Sequence, residues 1–407
     1  MLYPRVSLYA LMLAAAGIPL YIHLPRFAAV NLGIGLGVIG TVLLVIRLVD
    51  LVQDPLIGWA IDRWPGAQLM FAALAALGLA VGFPLLFGLP EGASVGALVA
   101  ILVLLFSAYS LGTILLYGRS ATLAKQADPQ ELMRLAAFRE GGQLTGVVLA
   151  ASAPALFVAF GAQGQGYPAF GLFLGALALL TLIVTTPIWR RTPITGEGIS
   201  FTALGQSGAL RLLVLALINS LPVALTATLF LFFVEDKLQL SGMAGPLLIL
   251  FFLSAGASVP LWARLSNRIG PKQTLMIAMP LGIASFIGAA TLSAGELTAF
   301  ALICLASGAA AGADIVILPA MFSVVLTRAG LNASAAFGIW SFAGKLGLAL
   351  AAFFTLPLLE RSGFSPGQAN SAQALNTLTF AYALLPCILK LGAFGMVLTL
   401  PTEVPAK

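Results

Sequence analysis

The sequence carries very little charge for its length. Only 8% of its 407 residues are charged, 60% are apolar, and the mean hydropathy is +1.05. A water-soluble domain has about 25% charged residues, because charged side chains keep its surface hydrated. The low charge excludes a soluble globular fold and indicates an integral membrane protein.

Two cysteines and a single histidine restrict the chemistry further. Cys304 and Cys387 lie in apolar segments outside any CxxC or cysteine–histidine motif, so we expect packing residues rather than a disulfide or a metal centre. With one histidine the chain has no HExxH or paired-histidine motif, and we expect neither an enzyme nor a bound cofactor. The net charge of +6 needs no nucleic-acid partner, because basic residues at the cytoplasmic membrane face explain it.

The apolar residues fall into twelve runs long enough to cross a bilayer, which takes about 20 residues of helix. The predicted spans are residues 8–24, 35–61, 69–88, 96–117, 142–160, 169–189, 212–234, 247–265, 274–292, 297–319, 335–359 and 375–400. The first run follows only one basic residue, Arg5, and lacks a small-residue cleavage site, so we expect a retained helix rather than a signal peptide. The predicted fold class is an all-α membrane protein with twelve transmembrane helices.

The basic residues predict the orientation of these spans. An even number of spans puts both termini on one side, and a cytoplasmic placement leaves fourteen of the 20 basic residues at the cytoplasmic face and three outside. This bias is the positive-inside signal, and we expect a multi-pass protein of the plasma (inner) membrane. The other three basic residues fall within apolar segments: Arg47, Lys345 and Lys390.

A weak internal repeat divides the chain into two halves. DPLIGWAIDRWPG at residues 54–66 resembles VPLWARLSNRIGP at residues 259–271. We therefore predict six-helix halves at residues 1–189 and 212–407, joined by a cytoplasmic linker at residues 190–211, as in transporters built from repeats. In the second copy Val259 replaces Asp54 and Ala255 replaces Asp50, which indicates a task for the acids in the N-terminal half.

The acids Asp50 and Asp54 stand one helical turn apart, and Arg47 stands one turn before Asp50. A charge facing lipid at the helix centre costs about 2.5–3.5 kcal/mol or more, so this face must look into the helix bundle or a water-filled cavity. One interpretation is an ion-paired brace between helices, but one arginine cannot neutralise two carboxylates. The second carboxylate favours uptake of a proton or binding of a cation, and either provides ion coupling.

Other polar residues in apolar segments have less specific interpretations. Lys345, in the middle of the eleventh span, is the expected counterion from the C-terminal half; the alternative is a lysine that extends to the membrane surface. Asp314 in the tenth span is either functional or bonded to backbone freed by a nearby proline. Lys390 lies nearer a helix end, and we expect it to reach the interface; His23 and Arg26 are expected at the interface too.

Two small-residue patterns and one charged turn complete the motifs. Gly142 with Gly146, and Gly308 with Gly312, form GxxxG patterns that let helix backbones approach closely. A GxxxDR turn ends the second span, and its arginine recurs after the eighth span. We interpret these residues as a conformational latch: Gly58, Asp62, Arg63 and Arg268.

The stretch RLVDLVQDPLIGW at residues 47–59 strongly resembles the second-helix signature of the glycoside-pentoside-hexuronide:cation symporters, the melibiose permease-like family of the major facilitator superfamily. The paired acids, the Pro-Leu after the second acid and the flanking Arg and Trp all match. The resemblance is tight over residues 35–63 and looser elsewhere, and it implies the major facilitator fold with two pseudo-symmetric halves.

The resemblance also implies a cation site. Its residues here are Asp50, Gln53, Asp54, Ser110, Ser341 and Lys345. Gln53 stands where relatives carry asparagine, and its longer side chain favours H⁺ over Na⁺ as the coupling ion. Na⁺ at Asp50 and Asp54 stays open as the alternative.

The sugar-binding acids of that family are not kept. They correspond by spacing to Ala14 and Thr113, and the stacking tryptophan corresponds to Tyr117. Losing both acceptors leaves sugar hydroxyls unsatisfied, so a non-sugar, lipid-like or amphiphilic solute fits better, and relatives in this branch include lysolipid carriers. The predicted solute-binding residues are Thr113, Tyr117, Arg139, Trp340 and Lys345.

We therefore predict a secondary active transporter that moves a small-molecule solute together with H⁺ or Na⁺ by alternating access. Three alternatives stay open: a sugar:cation symporter, an exporter or antiporter that uses the same acids, and a receptor or assembly factor on a transporter scaffold. We expect a monomer whose other partners are membrane lipids.

Overall fold

The computed structural model describes residues 2–123, 129–161, 166–191, 208–328 and 333–400, and all regular secondary structure in these ranges is helical. The helices of the first half are α1 (Tyr3–Ile18), α2 (Leu24–Val30), α3 (Leu36–Arg63), α4 (Gln68–Phe87), α5 (Val95–Gly118), α6 (Ser120–Leu123), α7 (Pro129–Ala159) and α8 (Tyr167–Trp189). Those of the second half are α9 (Ala209–Phe232), α10 (Ala244–Ile269), α11 (Pro271–Phe286), α12 (Leu297–Arg328), α13 (Ala333–Arg361), α14 (Ala372–Thr379) and α15 (Leu385–Leu398).

Eleven helical segments of the described residues are long and apolar enough to cross a membrane. The first combines α1 and α2 through a π-helical turn at Pro19–His23, and the last combines α14 and α15 through a π-helical turn at Phe380–Leu384. The remaining predicted span, residues 142–160, lies largely within α7, where some side chains are outside the described part of the chain. Helix α7 begins 13 residues earlier than that span, at Pro129.

The chain divides into two compact units, which are described separately. One comprises Met1–Ile34 and Val42–Glu197, and the other comprises Gly35–Thr41 and Gly198–Lys407. The start of α3 therefore clusters with the second unit, where the Gly37 N–H donates to the Glu360 carboxylate at 2.9 Å. The predicted limits of the halves and linker stay predictions, because residues 192–207 lie outside the described part.

Four pairs of helices pack together in the same way in both units. In the first unit α1 packs on α7 and α8, and α4 packs on α5 and α8. In the second unit α9 packs on α13 and α15, and α11 packs on α12 and α15. Counted by spans, the first helix of each unit meets the fifth and sixth, and the third meets the fourth and sixth, as expected of a duplicated scaffold.

The GxxxG patterns mark two of the closest helix contacts, as the sequence predicts. A Cβ on Gly142 or Gly146 of α7 would overlap the backbone of Ser7 or Leu11 on α1. On α12, a Cβ at Gly312 would stand 2.6 Å from the Ala255 carbonyl oxygen of α10. Glycine is required at these positions because only a missing side chain lets two backbones approach so closely.

Large apolar side chains are exposed along most helices, as a lipid-facing surface requires. On α3, Val52 and Leu56 are 65% and 60% exposed, and on α8, Leu172 and Ile183 are 65% and 72% exposed. In water such surfaces would aggregate, whereas lipid tails solvate them. The charged side chains within the spans must therefore lie away from these lipid-facing surfaces.

Candidate functional site

Helix α3 separates its polar and apolar residues onto opposite faces. Arg47, Asp50 and Asp54 share one face, while Val52 and Leu56 lie on the exposed face. Arg47 and Asp50 are 3% and 1% exposed and form an ion pair, in which Arg47 Nη1 donates to Asp50 Oδ2. Asp54, one turn further, is partly buried. The predicted inward orientation of the charged face is confirmed.

Aromatic rings surround the Arg47 guanidinium. Its carbon lies 4.2 Å from the centre of the Phe106 ring on α5 and 5.3 Å from that of Tyr21 in the π-helical turn after α1. Tyr21 also meets the Tyr109 ring edge-on, with the ring centres 6.1 Å apart. The negative ring faces stabilise the cation where water is excluded, so Arg47 is held by a carboxylate and by two aromatic side chains.

A polar contact joins α3 to α5 close to the acids. Ser107 Oγ donates to Gln53 Oε1 at 2.8 Å, and Gln53 Nε2 is buried with no hydrogen-bond partner among the described residues. Ser110 follows Ser107 by three residues and is fully buried. Because residues three apart are neighbours on a helix face, Ser110 lies one turn along α5 from the contact with α3.

Further along α5, the predicted solute residues form a second polar group with α7. The Arg139 guanidinium carbon lies 4.1 Å from the Tyr117 ring centre, and Gln143 Nε2 donates to the Tyr117 hydroxyl at 2.7 Å. Arg139 also pairs with the exposed Glu140 at 3.0 Å. Thr113 Oγ1 is buried with no hydrogen-bond partner among the described residues. This hydroxyl is able to bind a polar group of a solute.

The C-terminal members of the predicted site lie on α13 in the second unit. Lys345 is 6% exposed, so it is buried rather than extended to the surface. Trp340 is partly buried and packs on Phe322, with the ring centres 5.0 Å apart. The Ser341 side chain lies outside the described residues. Convergence of these residues with the acids of the first unit stays a prediction.

Two expectations about polar residues in the second unit are resolved by one contact. Lys390 Nζ donates to Asp314 Oδ2 and, at 2.6 Å, to Asn219 Oδ1. The expectation that Lys390 reaches the membrane interface is wrong. Its ammonium group donates to the Asp314 carboxylate inside the unit, and this ion pair is stronger than the partial hydration that the interface would offer. Asp314 is thus one member of an ion pair rather than a partner of freed backbone.

His23 and Arg26 also differ from expectation. They are 5% and 4% exposed, so both side chains are buried in the protein rather than exposed at its surface. The His23 Nδ1 lies 3.3 Å from the Tyr167 hydroxyl, and its ring meets the edges of Tyr167 and Phe170. Helix α2 extends the first span to Val30, which brings both polar residues into the aromatic core of the first unit.

At the end of α3, the latch residues have a partner that the sequence interpretation missed. Buried Arg119 donates to the Ile61 carbonyl and lies 3.4 Å from the Asp62 carboxylate. Arg63 and Arg268 are exposed. A conformational latch stays a prediction, with Arg119 as an additional member.

Metal-ligand groups, free cysteines and a GxSxG segment are the features of the described residues that bear on enzyme chemistry. No group of three or more His, Cys, Asp or Glu side chains there could hold a metal ion, and both cysteines are buried and free. The segment GFSPG at residues 363–367 matches GxSxG. Its Ser365 lies in an exposed loop between α13 and α14, not at the strand-to-helix turn that activates a hydrolase serine.

Comparisons with known proteins agree with this architecture. A family model described as MFS/sugar transport protein matches residues 6–403. A mutant form of the nucleoside transporter NupG has 15% identity over 97% of this chain and 100% of its own, with a TM-score of 0.74. Native-sequence NupG has 16% identity over 97% and 98%, with a TM-score of 0.69.

A bacterial homologue of the human lysosomal transporter Spinster, inward-facing and unoccupied, has 13% identity over 97% of this chain and 95% of its own, with a TM-score of 0.65. A search of curated proteins found no match. Identities this low show a shared fold and leave the solute open.

Proposed function

Because the chain belongs to the MFS/sugar transport protein family and has the fold of its transporters, we propose that it is a cation-coupled symporter of a small, non-sugar, amphiphilic solute. The coupling ion is H⁺ or Na⁺, bound at Asp50 and Asp54, and the solute and ion cross together by alternating access. The buried charged face of α3 carries this proposal.

Charge balance on α3 supports a cation at this site. Arg47, Asp50 and Asp54 together carry a net charge of −1, and Arg47 is already paired with Asp50. Two carboxylates one turn apart repel each other in a low-dielectric interior, and a bound proton or Na⁺ relieves that repulsion. Carboxylate, hydroxyl and amide oxygens are the ligands that a hard cation prefers, and Gln53 Oε1 and Ser110 Oγ add such oxygens nearby.

The solute residues favour an amphiphile over a sugar. Tyr117, with Arg139 stacked on its ring, presents one aromatic and one cationic surface. Ala14 and Thr113 provide no carboxylate for sugar hydroxyls. A sugar:cation symporter is the second candidate, because the matching family model is described by sugar transport. An exporter or antiporter would use the same acids.

Transport by the purified chain in liposomes tests the proposal. Three probes are compared under an imposed pH gradient and, separately, a Na⁺ gradient: radiolabelled melibiose, radiolabelled uridine, and a fluorescent lysophospholipid whose outer-leaflet fraction is removed with albumin. We expect gradient-driven movement of the lysophospholipid, and none of melibiose. Concentrative melibiose uptake would instead establish the sugar candidate.

The variant Asp54→Asn separates coupling from a structural role. It removes one negative charge and keeps the side-chain shape, so we expect gradient-driven transport to be lost while the protein stays folded. Glu91→Gln, a similar change in an exposed turn, is the matched control and should transport like the wild type. If Asp54→Asn also transports like the wild type under both gradients, the coupling assignment is wrong.

A further inference from the structure

The second unit contains a buried polar cluster that the proposed cation site does not use. Asn219 on α9, Asp314 on α12 and Lys390 on α15 meet at the Lys390 ammonium group. The Asp314 and Lys390 side chains are each 13% exposed, and Asn219 is 6% exposed. The cluster joins three helices, and its side chains are mostly buried.

One atom of the cluster is left unsatisfied. Asp314 Oδ2 accepts from Lys390, but Asp314 Oδ1 is buried with no hydrogen-bond partner among the described residues. A brace whose only role is to hold helices together would satisfy both oxygens, because an unpaired buried polar atom is costly. An oxygen in this position can accept a proton.

Charge balance restricts what the cluster can bind. The pair is neutral as it stands, and a proton on Asp314 alone would leave the Lys390 ammonium group buried beside a neutral amide. An anion bound to Lys390 alone would place two anions around one ammonium group. Binding one proton and one anion together keeps the total charge at zero, so only this combination avoids both costs.

We propose that the Asn219–Asp314–Lys390 cluster binds one proton together with the single anionic group of an amphiphilic solute. A hydronium ion of the surrounding water gives up the proton, which forms an O–H bond at Asp314 Oδ1 and leaves a water molecule. Lys390 stays protonated throughout and turns one N–H from Asp314 to the anion, while Asn219 keeps its contact with the ammonium group. No other covalent bond forms or breaks.

Aliphatic side chains beside each polar group favour a solute with an apolar part. Leu215 lies one turn before Asn219, and Ile317 and Leu318 lie one turn after Asp314, all in the buried core of the second unit. Leu389 directly precedes Lys390 and packs on a second apolar cluster. A small inorganic anion would gain nothing from these contacts, whereas an alkyl chain would.

Other titratable groups lie on the helices of this unit. Lys345 on α13, Cys304 on α12 and Cys387 on α15 are within the helices, and Tyr382 is in the turn before α15. The remaining charged residues of these helices lie at their ends: Arg211, Arg264, Arg268, Lys272, Arg328, Glu360 and Arg361. Asp314 and Lys390 form an ion pair with each other within the helices of this unit.

The inference rests on the proposed transport function, since it names the chemistry of the solute, but its test is a binding measurement that needs no transport. The full chain in lipid nanodiscs is titrated by calorimetry with 1-hexanesulfonate, whose charge does not change between pH 5.5 and 8. Neutral 1-hexanol and tailless methanesulfonate are the comparison probes. Buffers of different ionisation enthalpy report the protons taken up.

For the wild type we expect one proton taken up per sulfonate, with the dissociation constant rising about tenfold per pH unit where Asp314 is ionised. Asp314→Asn leaves the ammonium group unbalanced, so it should bind the sulfonate with no proton uptake and no pH dependence. Lys390→Met should not bind it. Lys272→Met, a lysine at the first turn of α11 that donates to the Leu400 carbonyl, is the matched control and should bind like the wild type.

Several results would overturn the inference. They are no sulfonate binding by the wild type, no proton uptake on binding, binding by Lys390→Met equal to that of the wild type, or equal affinity for methanesulfonate and 1-hexanesulfonate. If either single variant fails to fold, the neutral double variant Asp314→Asn/Lys390→Met and the wild-type proton count decide the question. Loss of coupled transport in Asp54→Asn is an independent result.

Discussion

Replacing Arg47 by methionine tests whether its contact with Asp50 is a buried, mutually dependent ion pair. The two residues are 3% and 1% exposed. An exposed pair contributes about 0–1 kcal/mol, whereas removing one partner of a buried pair costs about 3–5 kcal/mol, because the other charge stays buried and uncompensated. We therefore expect Arg47→Met to lower the free energy of unfolding by about 3–5 kcal/mol.

The reverse substitution should cost less. Asp50→Asn leaves the Arg47 guanidinium buried, but the rings of Phe106 and Tyr21 at 4.2 and 5.3 Å still stabilise it. Each such cation–π contact is worth about 0.5–2 kcal/mol, so the loss for Asp50→Asn should be smaller than for Arg47→Met. The double variant removes both charges and should be within about 1 kcal/mol of the wild type.

Unfolding free energies of the four proteins in bicelles, measured by steric trapping at one pH, give the coupling energy directly. Arg63→Met is the matched control, because this arginine lies on the same helix and is exposed; it should change stability by no more than about 0.5 kcal/mol. Additive losses in the double variant, or a loss below about 1 kcal/mol for Arg47→Met, would refute the buried-pair reasoning.

Three further outcomes are expected. Gly146→Ala places a Cβ against the Leu11 backbone and should destabilise the protein by about 1–3 kcal/mol, whereas Gly141→Ala on the same helix meets nothing within 4 Å and should not; equal unfolding free energies would contradict the close contact. Asp62→Asn should cost no more than about 1 kcal/mol, because Asp62 is 80% exposed, and Arg119→Met, at 2% exposure, should cost more in the same assay. Melibiose added up to millimolar concentrations should leave the melting temperature unchanged; a concentration-dependent rise would indicate a sugar site.

Local patterns were sufficient for the architecture. The run lengths predicted twelve spans, of which eleven are confirmed among the described residues, and the RLVDLVQDPLIGW stretch predicted the family, which is confirmed. The glycine spacings predicted which helix faces make close contacts, because a missing side chain acts wherever two backbones approach. These features depend on residues within one or two turns of each other, so the sequence contains them fully.

Local patterns did not predict the contacts between side chains of helices that are distant in the sequence. Lys390 was expected at the interface from its distance to a helix end, but Asp314 and Asn219, 76 and 171 residues earlier, hold it inside. Arg119 gave no local sign of its contact with Asp62. The packing angles between helices decide which neighbouring helix presents a partner. These angles are not visible as a pattern in one sequence.

Helix spacing explains why the second copy of the repeat lacks the acids that Asp50 and Asp54 provide in the first. Ala255 on α10 occupies the position that corresponds to Asp50. A Cβ added to Gly312 on α12 would lie only 2.6 Å from the Ala255 carbonyl oxygen, so the backbones of α10 and α12 are in close contact. In the first unit, α5 contacts α3 near the acids through side chains, where the Ser107 hydroxyl donates to Gln53 Oε1. Two helices in backbone contact leave no volume for a carboxylate and its ion. Helices held apart by side chains leave that volume free. The same fold therefore supports paired acids at this position in the half whose helices contact through side chains, and the close contact at Gly312 excludes them at the corresponding position of the other half.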